Sequence, residues 1–270
     1  GRFILSDDIQ TVTQYYNPTG SLSTWYAGRR MGEIWGYTTA GIAKTNDEMN
    51  EHLKTNRPSW GDNWQAGDIM YKDLDGSETV NGGANTLSDH GDLRRLGYNA
   101  PRFKVGFNAD LTWQGLDFSF FLQGVGRRDW FDNSPYSVGA TSHGQWQSVG
   151  FKEHWDFFRP EGDPNGANLN ARYPRPLFEK GAKNMQTQSR YVVNAAYLRI
   201  KNIQLGYTLP ASLTKKIGVS RLRVYTSADN LVTFTKLPKI FDPEATGGDW
   251  GPGKIYPLQR VISCGLNVNI

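Results

Sequence analysis

From residue 103 to residue 113 the chain alternates without a break. Phe103, Val105, Phe107, Ala109, Leu111 and Trp113 fall on one side, and Lys104, Gly106, Asn108, Asp110 and Thr112 on the other. Side chains change face at every residue of a strand, so this pattern predicts a β-strand with one oily and one polar face. Gln114-Gly115 then reads as a two-residue hairpin turn. The return strand sets Leu116, Phe118, Phe120 and Leu122 opposite Asp117, Ser119 and Gln123. Three later segments repeat the rhythm. Ile203, Leu205, Tyr207 and Leu209 share a face, as do Leu222, Val224, Thr226 and Ala228 opposite Arg221, Arg223, Tyr225, Ser227 and Asp229. In the last segment Ile262, Cys264, Leu266, Val268 and Ile270 oppose the uncharged Ser263, Gly265, Asn267 and Asn269.

Between these strands the pattern loosens. Gly32 to Ala43 is a Gly-punctuated extended stretch, and Thr45-Asn-Asp-Glu48 has the spacing of a capping box, predicting a short helix through Leu53. Residues 55–67 read as a loop, Asp68 to Lys72 as a strand, and the acidic, Gly-rich run to about residue 92 as a second loop. Residues 126–190 form a long polar excursion, with a short helix predicted from Gln147 to Phe158. An excursion of that length in a compact domain is functional, disordered or a sign of a wrong assignment. A further Pro- and Gly-rich loop covers 236–258. No repeat of fixed period and no low-complexity linker divides the chain.

Composition sharpens this picture in one respect. The chain of 270 residues carries nine Trp, thirty Gly and 13% aromatic residues. Membrane barrels use aromatic girdles at both interfaces, so one-sided strands plus aromatics suggest a barrel with lipid outside and water within. Aromatic-rich carbohydrate-binding proteins share the composition. The mean hydropathy of -0.58 does not exclude a barrel, because only alternate strand residues face lipid. No apolar run is long enough for a membrane helix. The net charge of +4 is spread over isolated doublets, which excludes the clustered stripe of a nucleic-acid binder. With Cys264 alone there is neither an internal disulfide nor a multi-cysteine metal site. The chain opens at Gly1 with no export signal, so we expect a processed chain or a piece of a larger protein.

Candidate chemistry is sparse. Gly124-Val-Gly126-Arg-Arg-Asp lacks the third Gly and the following helix of a dinucleotide loop. Asp73-Leu-Asp75-Gly76-Ser77-Glu78 resembles a calcium loop, but Ser77 stands at the third carboxylate position and Glu78 where Gly is wanted. A solvated acidic turn is the expectation, with no metal and no cofactor. His52, His90, His143 and His154 are too scattered for a zinc motif, and no nucleophile elbow is present. No catalytic residue is nominated. Trp60, Trp64, Trp130, Trp146, Trp155 and Trp250 are candidates for stacking on a ligand, for packing loops together, or for an interfacial girdle.

Several blocks together resemble one family. Gly32-Glu-Ile-Trp-Gly-Tyr-Thr-Thr-Ala-Gly-Ile42, Gly67-Asp-Ile-Met-Tyr-Lys-Asp-Leu-Asp-Gly76, Pro101-Arg-Phe-Lys-Val-Gly-Phe-Asn108 and Phe118-Ser-Phe-Phe-Leu-Gln-Gly124 are similar to SusC/RagA proteins in order and spacing. So are Tyr197 through Pro210, Leu222 through Leu231, Asp242-Pro-Glu244 and Tyr256-Pro-Leu258. Ser77-Glu78 and the terminal Ile270 depart from the family pattern.

The resemblance implies an all-β fold: the C-terminal part of the antiparallel, 22-stranded transmembrane β-barrel of a TonB-dependent outer-membrane transporter. The resemblance covers most of the chain from about residue 28, and on it residues 1–270 belong to the barrel portion, with 126–190 as a long extracellular loop and the plug domain and signal peptide lying upstream. It also implies import of glycan or peptide oligomers by a non-enzyme, in the outer membrane of Bacteroidetes. The implied partners are the N-terminal plug and remaining barrel, a SusD-like surface lipoprotein, the TonB complex and outer-membrane lipid. On that reading the polar strand faces, including Asn108, Asp110, Arg223 and Ser227, line the lumen. The alternative is a soluble β-sandwich that binds or cleaves carbohydrate.

Overall fold

The computed structural model describes residues 21–26, 28–131, 150–177, 183–239, 241–246 and 256–270. The chain divides into two compact units, one built from residues up to Ala100 plus Asp129–Val193, the other from Pro101–Arg128 plus Asn194–Ile270. No helix among the described residues is long and apolar enough to cross a membrane, a finding that does not bear on crossing by strands.

The first unit is made of short strands: β1 (Glu33–Gly36), β2 (Thr39–Ile42), β3 (Arg57–Pro58), β4 (Ile69–Tyr71), β5 (Thr79–Val80) and β6 (Arg94–Tyr98). β1 pairs with β6 and β2 with β4, both antiparallel, while β3 and β5 run parallel. A helix, Asn46–His52, stands where the capping box placed it. The Thr45 hydroxyl accepts the Glu48 N–H at 3.1 Å, and the Glu48 carboxylate reaches back to the Lys44 N–H at 2.6 Å. Ile42, Ile69, Tyr71, Val80, Phe158, Ala171, Tyr173, Met185 and Tyr191 form the core of this unit. Four of its nine members come from the supposed excursion after residue 126, which is therefore packed structure where described. The helix expected at 147–158 is reduced to one 3-10 turn, Lys152–Trp155, with 147–149 outside the described residues. Phe158 follows that turn and enters the core with its N–H on the Tyr173 carbonyl, so tertiary packing ends the helix early.

The second unit is a single antiparallel sheet. Its long strands are β7 (Phe103–Trp113), β8 (Leu116–Gly126), β11 (Tyr197–Thr208), β12 (Arg221–Thr235) and β13 (Val261–Asn269), hydrogen-bonded in chain order; two two-residue strands, β9 (Asp129–Trp130) and β10 (Val193–Asn194), fall between β8 and β11 in the chain. β7 and β8 meet through Gln114 and Gly115, whose φ values of 45° and 86° are those of a type I′ hairpin turn.

Register keeps one face oily across all five strands. Phe107 pairs with Leu122, Leu111 with Phe118, Leu205 with Phe118 and Thr226, and Val224 with Leu266. β11 carries a phase slip: Leu198 and Ile200 are even-numbered, whereas Ile203, Leu205 and Tyr207 are odd. Lys201 absorbs the slip as a bulge between Ile200 and Asn202, so both sets stay on the apolar face. β12 passes the same level with two extra residues, Asn230 and Leu231, which preserve its phase. Asn230 takes the left-handed φ of 51° that an Asn tolerates better than most residues.

The apolar face is uncovered among the described residues: Leu111 is 64% and Leu266 65% exposed, and Phe103, Val105, Phe107, Trp113, Ile262 and Val268 are exposed with them. Exposed apolar residues ordered over five strands need an apolar partner.

The turn defines a stability test. A Cβ at Gly115 would sit 2.8 Å from the Thr208 carbonyl oxygen, at a φ that side chains rarely adopt. Gly115→Ala should therefore lower the stability of the protein by about 1–2 kcal/mol, seen as a lower urea midpoint. Gln114→Gly, at the other left-handed position, should leave the midpoint unchanged or raise it.

Candidate functional site

The polar face of the sheet is a network. The Arg223 guanidinium on β12 donates through Nε to Asp117 on β8 at 2.8 Å, and its Nη2 closes a second contact with the same carboxylate. These strands are not neighbours; β11 lies between them and presents Gly206 there. A Cβ on Gly206 would fall 2.5 Å from Asp117 Oδ2, so the missing side chain is what lets the ion pair cross the strand. Tyr225 lies over Gly265 on the far side and under the Arg223 guanidinium, 4.9 Å from ring centroid to Cζ. Asn108 bonds Asp110 at 2.7 Å, and Asn202 bonds Asp229 at 2.7 Å. Asn108, Asp110, Arg223 and Ser227 thus share one face, as the alternation predicts.

At the end of the sheet away from the Gln114-Gly115 turn, residues 241–246 close onto this face. Arg199, buried on β11, donates to Thr233 Oγ1 and Asp242 Oδ1, each at 2.7 Å, and to Glu244. Lys201 adds a contact to Glu244 at 3.1 Å. Burial works to raise the Asp242 carboxyl. The Glu244 and Leu258 N–H groups and the Arg199 guanidinium outweigh it and hold the group below its ordinary value. Every long excursion leaves the sheet at this end, beside Phe103, Gly126, Tyr197, Thr235 and Val261, while the other end carries a two-residue turn and the 209–220 connection. Short turns at one end and long loops at the other are the plan of an outer-membrane barrel.

In the first unit a buried carboxylate organises the loops. Asp68 accepts from Arg175 Nε at 2.8 Å and Nη2 at 3.0 Å, Asn184 at 3.0 Å and the Gln65 N–H at 2.9 Å, with Lys183 Nζ at 2.8 Å. Burial would raise its pKa, but these donors together hold it below the ordinary 3.8. Lys183 also lies over the Trp64 ring at 4.8 Å, and its carbonyl accepts from Trp60 and Tyr71.

That geometry decides where the candidate tryptophans stand. Trp60 packs on Tyr37 and Tyr71 at 4.6 and 5.1 Å, and Trp64 packs on Tyr71 and Lys183, so both build the loop core. Trp130 is buried and offers no open ring face. Trp155 alone of the described four is open, 60% exposed, with the Arg159 guanidinium 5.2 Å from its ring. Trp146 and Trp250 lie outside the described residues.

The acidic turn gains a member that sequence reading missed. Asp92 joins Asp73 and Asp75, with carboxylate oxygens within 4.8 Å of one another. The three already accept backbone N–H groups: Asp73 those of Asp75, Gly76 and Glu78, Asp92 those of Leu74 and Asn81, and Asp75 that of Ser77. The cluster accounts for its own fold as an acidic turn. The pairings of Asp68 with Arg175 and of Asp117 with Arg223 were also missed, because their members are 107 and 106 residues apart. The only signals were a charge inside an otherwise apolar block at Asp68 and a Gly in mid-strand at Gly206.

The second unit has the features of a β-barrel wall: an antiparallel sheet with one exposed oily face and one polar face. No family model matches the chain. "TonB-dependent receptor P3" of Formosa agariphila is 29% identical over 254 residues, spanning 89% of this chain and 22% of that protein. "TonB-dependent receptor P26" of the same organism is 29% identical over 184 residues, 64% of this chain and 17% of that protein. Among solved structures, the RagAB peptide importer in its "open-open" state aligns with TM-score 0.61 and 22% identity over 91% of this chain and 23% of that one. The RagAB peptide transporter gives 0.61 and 23% identity over 93% and 23%.

The resemblance to SusC/RagA-type TonB-dependent receptors is borne out, and with it an outer-membrane β-barrel location. The chain spans about a fifth of the length of these relatives.

Two expectations follow. Asp68→Asn leaves the buried Lys183 and half-buried Arg175 without their counter-charge and should cost about 3–5 kcal/mol, read as earlier thermal unfolding by tryptophan fluorescence. Because the Asp68 pKa is depressed, its contribution is present above the unfolded value and lost as pH falls through the folded one. The gap between wild type and Asp68→Asn should therefore hold at pH 7 and close as pH drops below about 3.8. Separately, Gly206→Ala should push Arg223 off Asp117 and lower stability by about 1–3 kcal/mol, while Gly206→Ala in an Asp117→Asn/Arg223→Gln background should cost measurably less in a double-mutant cycle.

Proposed function

We propose that this chain supplies the C-terminal part of the barrel wall, with the outer loops above it, in a SusC-like TonB-dependent importer of nutrient oligomers. One observation carries the reading: a five-stranded antiparallel sheet whose oily face is uncovered and whose long excursions all leave at the same end. In a 22-stranded plugged barrel the oily face meets lipid, and the polar face with Asn108, Asp110, Arg223 and Ser227 lines the lumen. Residues 126–190 belong to the extracellular side. The outer edges of β7 and β13 pair with the rest of the wall, since open edges are not tolerated in lipid. A plug driven by the TonB complex gates the lumen, and a SusD-like surface lipoprotein covers the loops. Peptides are the first cargo to test, because the structural relatives are peptide importers; glycan oligomers are the second. The role is transport rather than catalysis. A soluble β-sandwich would need a second sheet over the oily face, and the described residues supply none.

Native outer membranes provide the test. Intact-mass analysis and peptide mapping should find this sequence only in detergent extracts, joined to a plug and accompanied by a lipoprotein. Cells carrying the receptor should take up labelled oligopeptides or oligosaccharides only while TonB is energised. Recovery of a lone, detergent-free 30.4 kDa species would overturn the proposal.

A further inference from the structure

The 209–220 connection between β11 and β12 is built in a way that its job as a turn does not require. Pro210 opens it, a single helical turn follows at Ala211–Thr214, a 3-10 turn at Lys215–Ile217, and Gly218 closes it with φ of 73°. The Thr214 side chain is turned inward and buried, and its carbonyl accepts the Val219 N–H at 3.1 Å. Leu213 and Ile217, four residues apart, are turned outward and are 53% and 68% exposed. Lys215 and Lys216 lie between them, both exposed, and residues 209–220 contain no Asp or Glu. A connection facing only water gains nothing from two open aliphatic side chains.

Its level along the sheet explains them. The Thr208 N–H bonds the Gly115 carbonyl at 2.7 Å, so β11 ends level with the hairpin turn that carries the exposed Trp113. Tryptophan is enriched at the membrane–water boundary, where its ring spans oily and wet layers. The helical turn begins three residues past that rung. It also continues the oily face: Tyr207 and Val224, the last apolar pair before the connection, are both exposed. An amphipathic turn at this level suits the interface, with aliphatic side chains among acyl chains and lysine heads among phosphates.

We infer that residues 209–220 are an interfacial lipid anchor, in which Leu213 and Ile217 enter the acyl layer of the leaflet on the short-turn side and Lys215 and Lys216 hold its anionic phospholipid headgroups. The inference rests on the membrane placement of the sheet and goes beyond the import reading.

Single cysteines carrying an environment-sensitive fluorophore test it in the full receptor, in a Cys264→Ala background, reconstituted in phosphatidylethanolamine–phosphatidylglycerol nanodiscs. Probes go to Leu213, Ile217, the lipid-facing Leu266 and the exposed loop residue Ser77. Brominated acyl chains should quench the probes at 213 and 217 as they quench that at 266, and aqueous iodide should quench only that at 77. Lys215→Glu with Lys216→Glu should reduce bromine quenching at 213 and leave 266 unchanged. Iodide quenching at 213 and 217 alongside bromine quenching at 266 overturns the anchor while the membrane sheet stands. Absence of bromine quenching at 266 overturns both.

Discussion

Everything in the second unit depends on keeping the two-residue period of its strands in phase. A slip of one residue would turn every oily side chain of that strand to the polar side. Five strands nevertheless share one apolar face because the irregularities are counted correctly. Lys201 adds one residue where the hydrophobic pattern of β11 changes parity, and Asn230 with Leu231 add two where β12 does not change it. The cost is a left-handed Asn230 whose Oδ1 lacks a partner, at the level where Arg199, Lys201, Asp242 and Glu244 gather. The bulge and the ionic closure above it thus belong to one structural solution.

The polar face obeys a second constraint, that charges set among strands be paired. Long side chains can reach across a sheet only over a position without a Cβ. Gly206 opens that path for Arg223 to Asp117, and Gly265 accepts the Tyr225 ring that supports the same guanidinium. Two glycines that would weaken an ordinary strand here make room for a wall of fixed charges and an aromatic ring.

The first unit solves the opposite problem, giving loops a core. Short strands and irregular segments cannot bury a continuous stripe, so aromatic residues and one buried carboxylate do the joining. Asp68 sits at the foot of β4 and gathers Arg175, Lys183 and Asn184, which brings Tyr71, Trp60 and Trp64 against the later segment. A buried ion pair of this kind adds little net stability but makes the loss of either partner expensive. Loop positions set in this way are reproducible.

The amino-acid sequence by itself determined the long strands, the hairpin at Gln114-Gly115, the capped helix after Thr45 and the division of each strand into oily and polar faces. These are local consequences of side-chain alternation and turn chemistry, which act within a few residues of their source. It also carried the resemblance, since many short blocks in order are more specific than any one of them. What only the tertiary structure decided is which distant residues meet. Trp60, Trp64 and Trp130 could by sequence stack on a ligand, pack loops together or sit in a girdle; the structure makes them packing residues, leaving Trp155 exposed among those described. Residues 126–190 read as a long polar excursion, yet Phe158, Ala171, Tyr173 and Met185 from it enter the first unit's core, and Asp92 joins Asp73 and Asp75. The reason is physical: a loop residue's fate depends on contacts across a hundred positions, which no periodic pattern encodes, whereas a strand residue's face is set by its immediate neighbours.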